Sequence, residues 1–169
     1  MSEPQTEQVP EERYERFASE SEFLAAVDRL LAEDGRELRI FDPDLVALRL
    51  EAPERIERLR AFLAASRTRR VYIAVHDTDH LTKYCPRTTR LLAQFAHAIQ
   101  VQRTHEEIRN VQDAFLVLDA RHYVRRPAAR FFRGAIGIHD ETEALAMLGR
   151  FQEIWSASFP AVSPTTLGL

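Results

Sequence analysis

Cysteine is nearly absent from this 169-residue chain: Cys85 stands alone, which excludes an internal disulfide. Lysine is equally scarce, so the 23 basic residues are one Lys and 22 Arg. The five glycines are scattered, and none forms a phosphate-cradling loop. No apolar run approaches the length that spans a bilayer. The first residues, Met-Ser-Glu-Pro-Gln-Thr-Glu-Gln, carry neither a basic start nor an apolar stretch, the opposite of a secretory signal. These absences point to a cytosolic protein with no membrane partner.

What remains is the composition of a globular domain: 45% hydrophobic and 29% charged. The formal charge of −3 hides a division. Residues 1–35 hold ten acidic and three basic side chains, and the other 134 hold sixteen acidic and twenty basic. An acidic arm on a basic body can compete for the body's anion site, or can be a solvated tail. Residues 1–18 are read as a flexible arm, 19–158 as one domain and 159–169 as a second flexible tail.

Hydrophobic periodicity orders the elements between these ends. Phe23, Leu24, Val27, Leu30 and Leu31 share a helical face behind a Ser19/Glu22 capping box. Leu38–Phe41 is a strand stopped by Asp42-Pro43-Asp44, and Val71–Val75 is a second. Between them, Pro53 opens a helix with Ile56, Leu59, Phe62 and Leu63 inward. Pro86 opens another, and Ile99–Gln102 is a third strand. Thr104 with Glu107 has the capping-box pattern for one or two helical turns. Residues 114–118 and 122–125 read as a hairpin around Asp119-Ala-Arg121, and 135–138 as a further strand. Asp140 with Glu143 caps a last helix whose Leu145, Leu148, Phe151, Ile154 and Trp155 turn to the core. The expected fold is α/β, with a mixed, mostly parallel sheet, helices on both faces and an antiparallel hairpin near the carboxyl end.

Chemistry-bearing residues gather in two places. If the first three strands are parallel, one rim carries Asp42 and Asp44, then His76, Asp77, Asp79 and His80, then His105. Imidazoles and carboxylates suit a transition metal, but the same aspartates also satisfy turns, and His76 can be a hydrogen-bonded core residue. His76 and His80 share a face only if 76–80 are helical. Arg121, Arg125, Arg126, Arg130 and Arg133, with Tyr123, Phe131 and Phe132 interleaved, have the character of an anion site or of a base-stacking surface. Cys85 is either a nucleophile or a small buried residue.

The hairpin resembles the phospholipase D superfamily, whose signature is His-x-Lys, four residues, then Asp. The matching frame here is Gln112-Asp113-Ala114, four residues, then Asp119. The strand and the aspartate are kept, while Gln112 and Ala114 stand where the nucleophile and the lysine belong. The resemblance implies a phospholipase D-like fold over residues 36–158, no such catalysis, and pairing of two copies as a homodimer. His76-Asp-Thr-Asp-His-Leu81, Cys85-Pro-Arg87 and His122-Tyr-Val-Arg-Arg126 also resemble an uncharacterised bacterial domain family found in some proteins beside acetyltransferase domains. The first expectation is a non-catalytic module, without a cofactor, for a protein partner or an anionic ligand. The alternatives are a small metal-dependent enzyme on the His76–His80 cluster and a nucleic-acid-binding domain.

Overall fold

A computed structural model describes residues 9–162. One sheet of eight strands forms its centre. In spatial order these are β1 (Arg13–Phe17), β7 (Gly134–Ile138), β6 (His122–Arg126), β5 (Ala114–Leu118), β2 (Glu37–Asp42), β3 (Arg70–Val75), β4 (Ile99–Thr104) and β8 (Ser158–Val162). β2, β3 and β4 are parallel, in register from Leu38↔Val71 and Val71↔Ile99. The expected shared rim therefore exists.

Every other pairing is antiparallel, so the sheet is mixed but not mostly parallel. The reason lies in the connections. Parallel neighbours need a crossover element. The chain supplies one between β2 and β3, α2 (Pro53–Ala64), and two between β3 and β4, α3 (Asp79–Tyr84) and α4 (Pro86–Gln94). From β5 to β7 the links are short and no helix intervenes.

Alternation along the strands divides the core into two layers. Val71, Ile73 and Val75 join Leu38, Ile40, Ile99 and Val101 on one face. That face is covered by α1 (Glu20–Leu31) through Phe23, Val27 and Leu30, and by α2 and α4. Phe41, Ala74, Phe115, Val117 and Tyr123 line the other face. There α5 (Glu141–Ser156) inserts Ala144, Met147, Phe151 and Ile154. Leu145, expected inward, is 61% exposed, because the buried stripe of α5 runs through 144, 147, 151 and 154.

Both proposed flexible ends enter the sheet. Residues 13–17 pair with β7, anchored by the buried Phe17, so the acidic arm is an edge strand over that stretch. Ser158–Val162 pair with β4, and Pro160 is tolerated because the strand is an edge. The remainder of both proposed ends, residues 1–8 and 163–169, lies outside the described residues. Among the described residues no helix is long and apolar enough to cross a membrane.

Capping follows local chemistry unevenly. The Ser19 hydroxyl accepts from the Glu22 amide, as in a capping box, while Glu22 reaches one residue further back and accepts from the Ala18 amide instead of that of Ser19. Thr104 and Glu107 do not cap. Only a three-residue 3-10 turn forms at Glu106–Ile108, because the Thr104 hydroxyl is held by His76. Asp140 precedes α5 without a side-chain cap and accepts instead from the Tyr123 hydroxyl at 2.7 Å.

Candidate functional site: an arginine-lined cleft

The rim at the ends of β2, β3 and β4 is tied into the protein. Asp42 is 1% exposed, and its Oδ1 accepts from the amides of Asp44 and Leu45 at 3.1 and 2.8 Å. Its Oδ2 accepts from Arg126 at 2.7 Å. Burial pushes the Asp42 carboxyl up, and Arg126 with the two amides opposes that. An ion pair with every carboxylate oxygen bonded is a fastener, not a vacant ligand.

His76 is fastened in the same way. Its Nε2 lies 2.6 Å from the Val111 carbonyl and its Nδ1 2.6 Å from the Thr104 hydroxyl. A carbonyl only accepts, so Nε2 carries a proton, and in the neutral ring Nδ1 accepts from Thr104. No lone pair is left for a metal.

The other rim residues point to separate tasks. Asp44 and Asp77 accept from the Val46 and Asp79 amides in local turns. Asp79 lies 3.6 Å from Lys83. His80 lies against Tyr84 and His105 against Phe159, with ring centroids 5.9 and 5.0 Å apart. Residues 76–78 are not helical, and His76 and His80 do not share a face. Among the described residues, the one group of three or more His, Cys, Asp or Glu whose ligand atoms converge is Glu33, His122 and His139. His122 Nδ1 already accepts from the His139 amide at 3.0 Å. The proton of the neutral ring is therefore on Nε2, an arrangement opposed to metal ligation.

Space opens beside the rim. A cleft of about 750 Å³ lies between α5 and the β5–β6 hairpin. Val111, Gln112, Asp113 and Ala114 form one wall, and Arg125, Arg126, Pro127, Ala128 and Arg130 continue it. From α5 come Glu143, Ala146, Met147 and Arg150, at the i, i+3, i+4 and i+7 positions of one helical face. Phe115 lies at the base. Gln112 and Ala114, which the sequence resemblance sets against the histidine and lysine of the phospholipase D signature, both line the cleft. Asp119 is at the far end of β5, where Oδ1 accepts from the Arg36 and Glu37 amides at 3.0 and 2.9 Å. It closes a turn, which suits its positive φ of 52°.

The cleft is rich in guanidinium groups, most of them engaged. Arg150 grips Asp113 through two bonds, at 3.0 and 2.7 Å, and this raises its pKa further. Arg125 donates to Glu143 at 2.8 Å. Arg126, 2% exposed, spans Asp42 and the carbonyls of Ala129 and Phe131. Arg130 lies over the Phe131 ring, 4.8 Å from its centroid. Arg133 flanks the same ring at 5.7 Å.

Of the five arginines expected to form an anion site, the structure brings together Arg125, Arg126 and Arg130. Arg133 lies next to them in the loop outside the cleft lining, and Arg121 sits at the opposite end of β6, in the hairpin turn. Sequence reasoning missed Asp113, Glu143, Met147 and Arg150. The signal for the last three was the spacing on α5, which is polar at 143 and 150 and apolar between. Cys85 is 4% exposed, and burial, then the Glu51 charge, pushes its thiol up to about 11, so it stays protonated and inert at neutral pH.

No curated protein sequence matches the chain significantly. Several solved structures share its fold. One is TrmBL2, an archaeal chromatin protein described with a novel mode of DNA binding, at TM-score 0.63 and 15% identity over 93% of this chain and 57% of that one. The phospholipase D family member Nuc from Salmonella typhimurium aligns at TM-score 0.61 and 15% identity, over 90% of this chain and all of Nuc. Phosphatidylserine synthase from Haemophilus influenzae aligns at 0.58 and 16%, over 92% of this chain and 40% of that enzyme. The fold is thus phospholipase D-like, and at such identities the likeness extends to fold alone. The chain spans little more than half of the chromatin protein and less than half of the synthase. A family model described as a domain of unknown function, DUF7931, matches residues 19–164, and the chain belongs to that family.

Proposed function

We propose that this chain is a non-catalytic binding module that holds an anionic ligand in the cleft between α5 and the β5–β6 hairpin. The observation that carries the reading is the concurrence of arginines with a lost nucleophile. Arg125, Arg126, Arg130 and Arg150 line a cleft together with Gln112 and Ala114, the residues that the motif resemblance sets against the catalytic histidine and lysine. An amide does not serve as a covalent phosphoryl acceptor, and a methyl group does not steady developing charge. The guanidinium forks remain, and they suit carboxylate or phosphate oxygens.

The reading is tested with thermal unfolding of the full chain in the presence of octanoate, orthophosphate, pyrophosphate or a 12-nucleotide DNA strand. A ligand that binds only the folded state raises the midpoint by mass action. At least one of these anions is expected to stabilise the chain, and Arg130→Glu and Arg150→Glu are expected to remove the effect. No stabilisation by any of the four, or an effect indifferent to both variants, contradicts the proposal. In parallel, bis(4-nitrophenyl) phosphate is expected to remain unhydrolysed. Turnover that tracks purified wild-type protein and disappears in Gln112→Ala overturns the non-catalytic half.

A second reading has one observation in its favour. Phe131 is 46% exposed and has the guanidinium groups of Arg130 and Arg133 at 4.8 and 5.7 Å from its ring centroid. An exposed ring with two cations near it is suited to stacking an unpaired base beside its phosphates. A DNA-binding role described for the structurally similar chromatin protein is in keeping with it. On this reading DNA binding weakens steeply with salt and is lost in Phe131→Ala. Binding that ignores both would dismiss it.

A further inference from the structure

We infer that the cleft is built for a single negative charge on an apolar body, an amphiphilic monocarboxylate, and that it disfavours polyanions. The inference rests on the cleft being the ligand site proposed above, and it names the class of ligand. The first argument is a count of charges. Arg126 is neutralised by Asp42 at 2.7 Å, Arg150 by Asp113 at 2.7 Å and Arg125 by Glu143 at 2.8 Å. Among the described residues no carboxylate lies within ion-pair distance of Arg130, which sits over Phe131. Four lining cations against their three partner anions leave a surplus of one within the lining; Arg133, next to Arg130 on the Phe131 ring, lies outside it.

A second negative charge on the ligand has no unpaired cation of its own within the cleft lining. It must face Asp113 or Glu143, or draw an arginine away from its carboxylate. Like charges brought together in a partly desolvated cleft repel, so each additional ligand charge is opposed. One carboxylate is accommodated without breaking any pair. Arg130 is available, and Arg150 uses only Nε and Nη2 on Asp113, which leaves its Nη1 hydrogens free. The planar fork of either group matches a carboxylate.

The second argument is the lining. Ala114 and Phe115 on one side and Ala146 and Met147 on the other make the middle of the cleft apolar. Ala146 and Pro127 are exposed there, and the largely buried Met147 and Phe115 add their edges. A volume of about 750 Å³ falls within the ~300–1,000 Å³ of small-molecule sites. A small inorganic anion leaves most of that lining uncovered, whereas an alkyl or aryl chain covers it and gains its hydrophobic transfer.

Isothermal titration calorimetry on the full chain tests this with octanoate, butyrate, octylammonium, dibutyl phosphate and pyrophosphate. Octanoate is expected to bind about tenfold or more tighter than butyrate and pyrophosphate, and octylammonium not at all. Arg130→Ala should weaken octanoate about tenfold. Asp113→Asn raises the surplus from one to two and should strengthen pyrophosphate about fivefold. Arg130 is exposed, and circular dichroism checks that both variants fold. Tighter Arg130-dependent binding of pyrophosphate or of dibutyl phosphate than of octanoate overturns the inference and leaves the cleft as the site. Asp113→Asn without effect on pyrophosphate refutes the charge count. No Arg130-dependent binding of any anion in the panel overturns the underlying site as well.

Discussion

Removing one partner of the Arg126–Asp42 pair is expected to be the most damaging polar substitution in the protein. Both side chains are 2% exposed and 2.7 Å apart. They join the end of β2 to the end of β6, and so fasten the floor of the cleft to the centre of the sheet. Asp42→Asn leaves a buried guanidinium without its counter-charge. Breaking one side of such a pair costs about 3–5 kcal/mol. At ~2–4 °C per kcal/mol for a chain of this size, the midpoint falls by roughly 6–20 °C. Arg126→Met alone strands a carboxylate whose Oδ1 still has two amide donors, so its cost should lie at the lower end. The double variant removes both charges, and its loss should be smaller than the sum of the single losses by about 2 kcal/mol or more. Urea unfolding of the four proteins measures the cycle. A single-variant loss under ~1 kcal/mol, the range of an exposed pair, or strictly additive losses, would refute the reasoning.

Three further outcomes follow from individual environments. Gly137→Ala should cost about 1–3 kcal/mol in urea unfolding. A methyl there would run into the Tyr123 ring, and Tyr123 is fixed by its bond to Asp140. Cys85 should resist Ellman's reagent in the folded chain and react at once in urea, and fast labelling without denaturant would show that the thiol is not sealed. His122 has its pKa lowered by burial first and by His139 second. The folded state then binds fewer protons than the unfolded state at pH values between its depressed pKa and the ordinary ~6.5. Stability should therefore fall as pH drops from 7.5 through that window, and His122→Gln should flatten the decline. An unchanged slope would place the titration elsewhere.

The parts of this fold that local pattern determines were open to reading. Val71–Val75 is an unbroken apolar run because β3 is covered on both faces, and the Ser19 hydroxyl caps α1 as expected. Pairing partners were not readable, since they depend on residues far apart in the chain. Arg13–Phe17 is mostly charged and exposed, and becomes a strand only because β7 offers it an edge. Ser158–Val162 does the same at β4.

The candidate site divides similarly. The residue types at the rim were visible, but not that Asp42 and His76 spend their bonding capacity on Arg126, Thr104 and Val111. A satisfied imidazole and a free one have the same sequence signature. The cleft depends on the rotation of α5, and reading Leu145 as core turned that helix too far to expose Glu143, Met147 and Arg150 as one face.

The central claim is that ligands enter between α5 and the β5–β6 hairpin. The most direct measurement is an amide-resolved NMR titration of the full chain with octanoate, pyrophosphate and a DNA strand in turn. For the anion that binds, the account expects shifts centred on Gln112–Phe115, Arg125–Arg130 and Glu143–Arg150. Shifts centred instead on His76–His80, or around Glu33, His122 and His139, would contradict it.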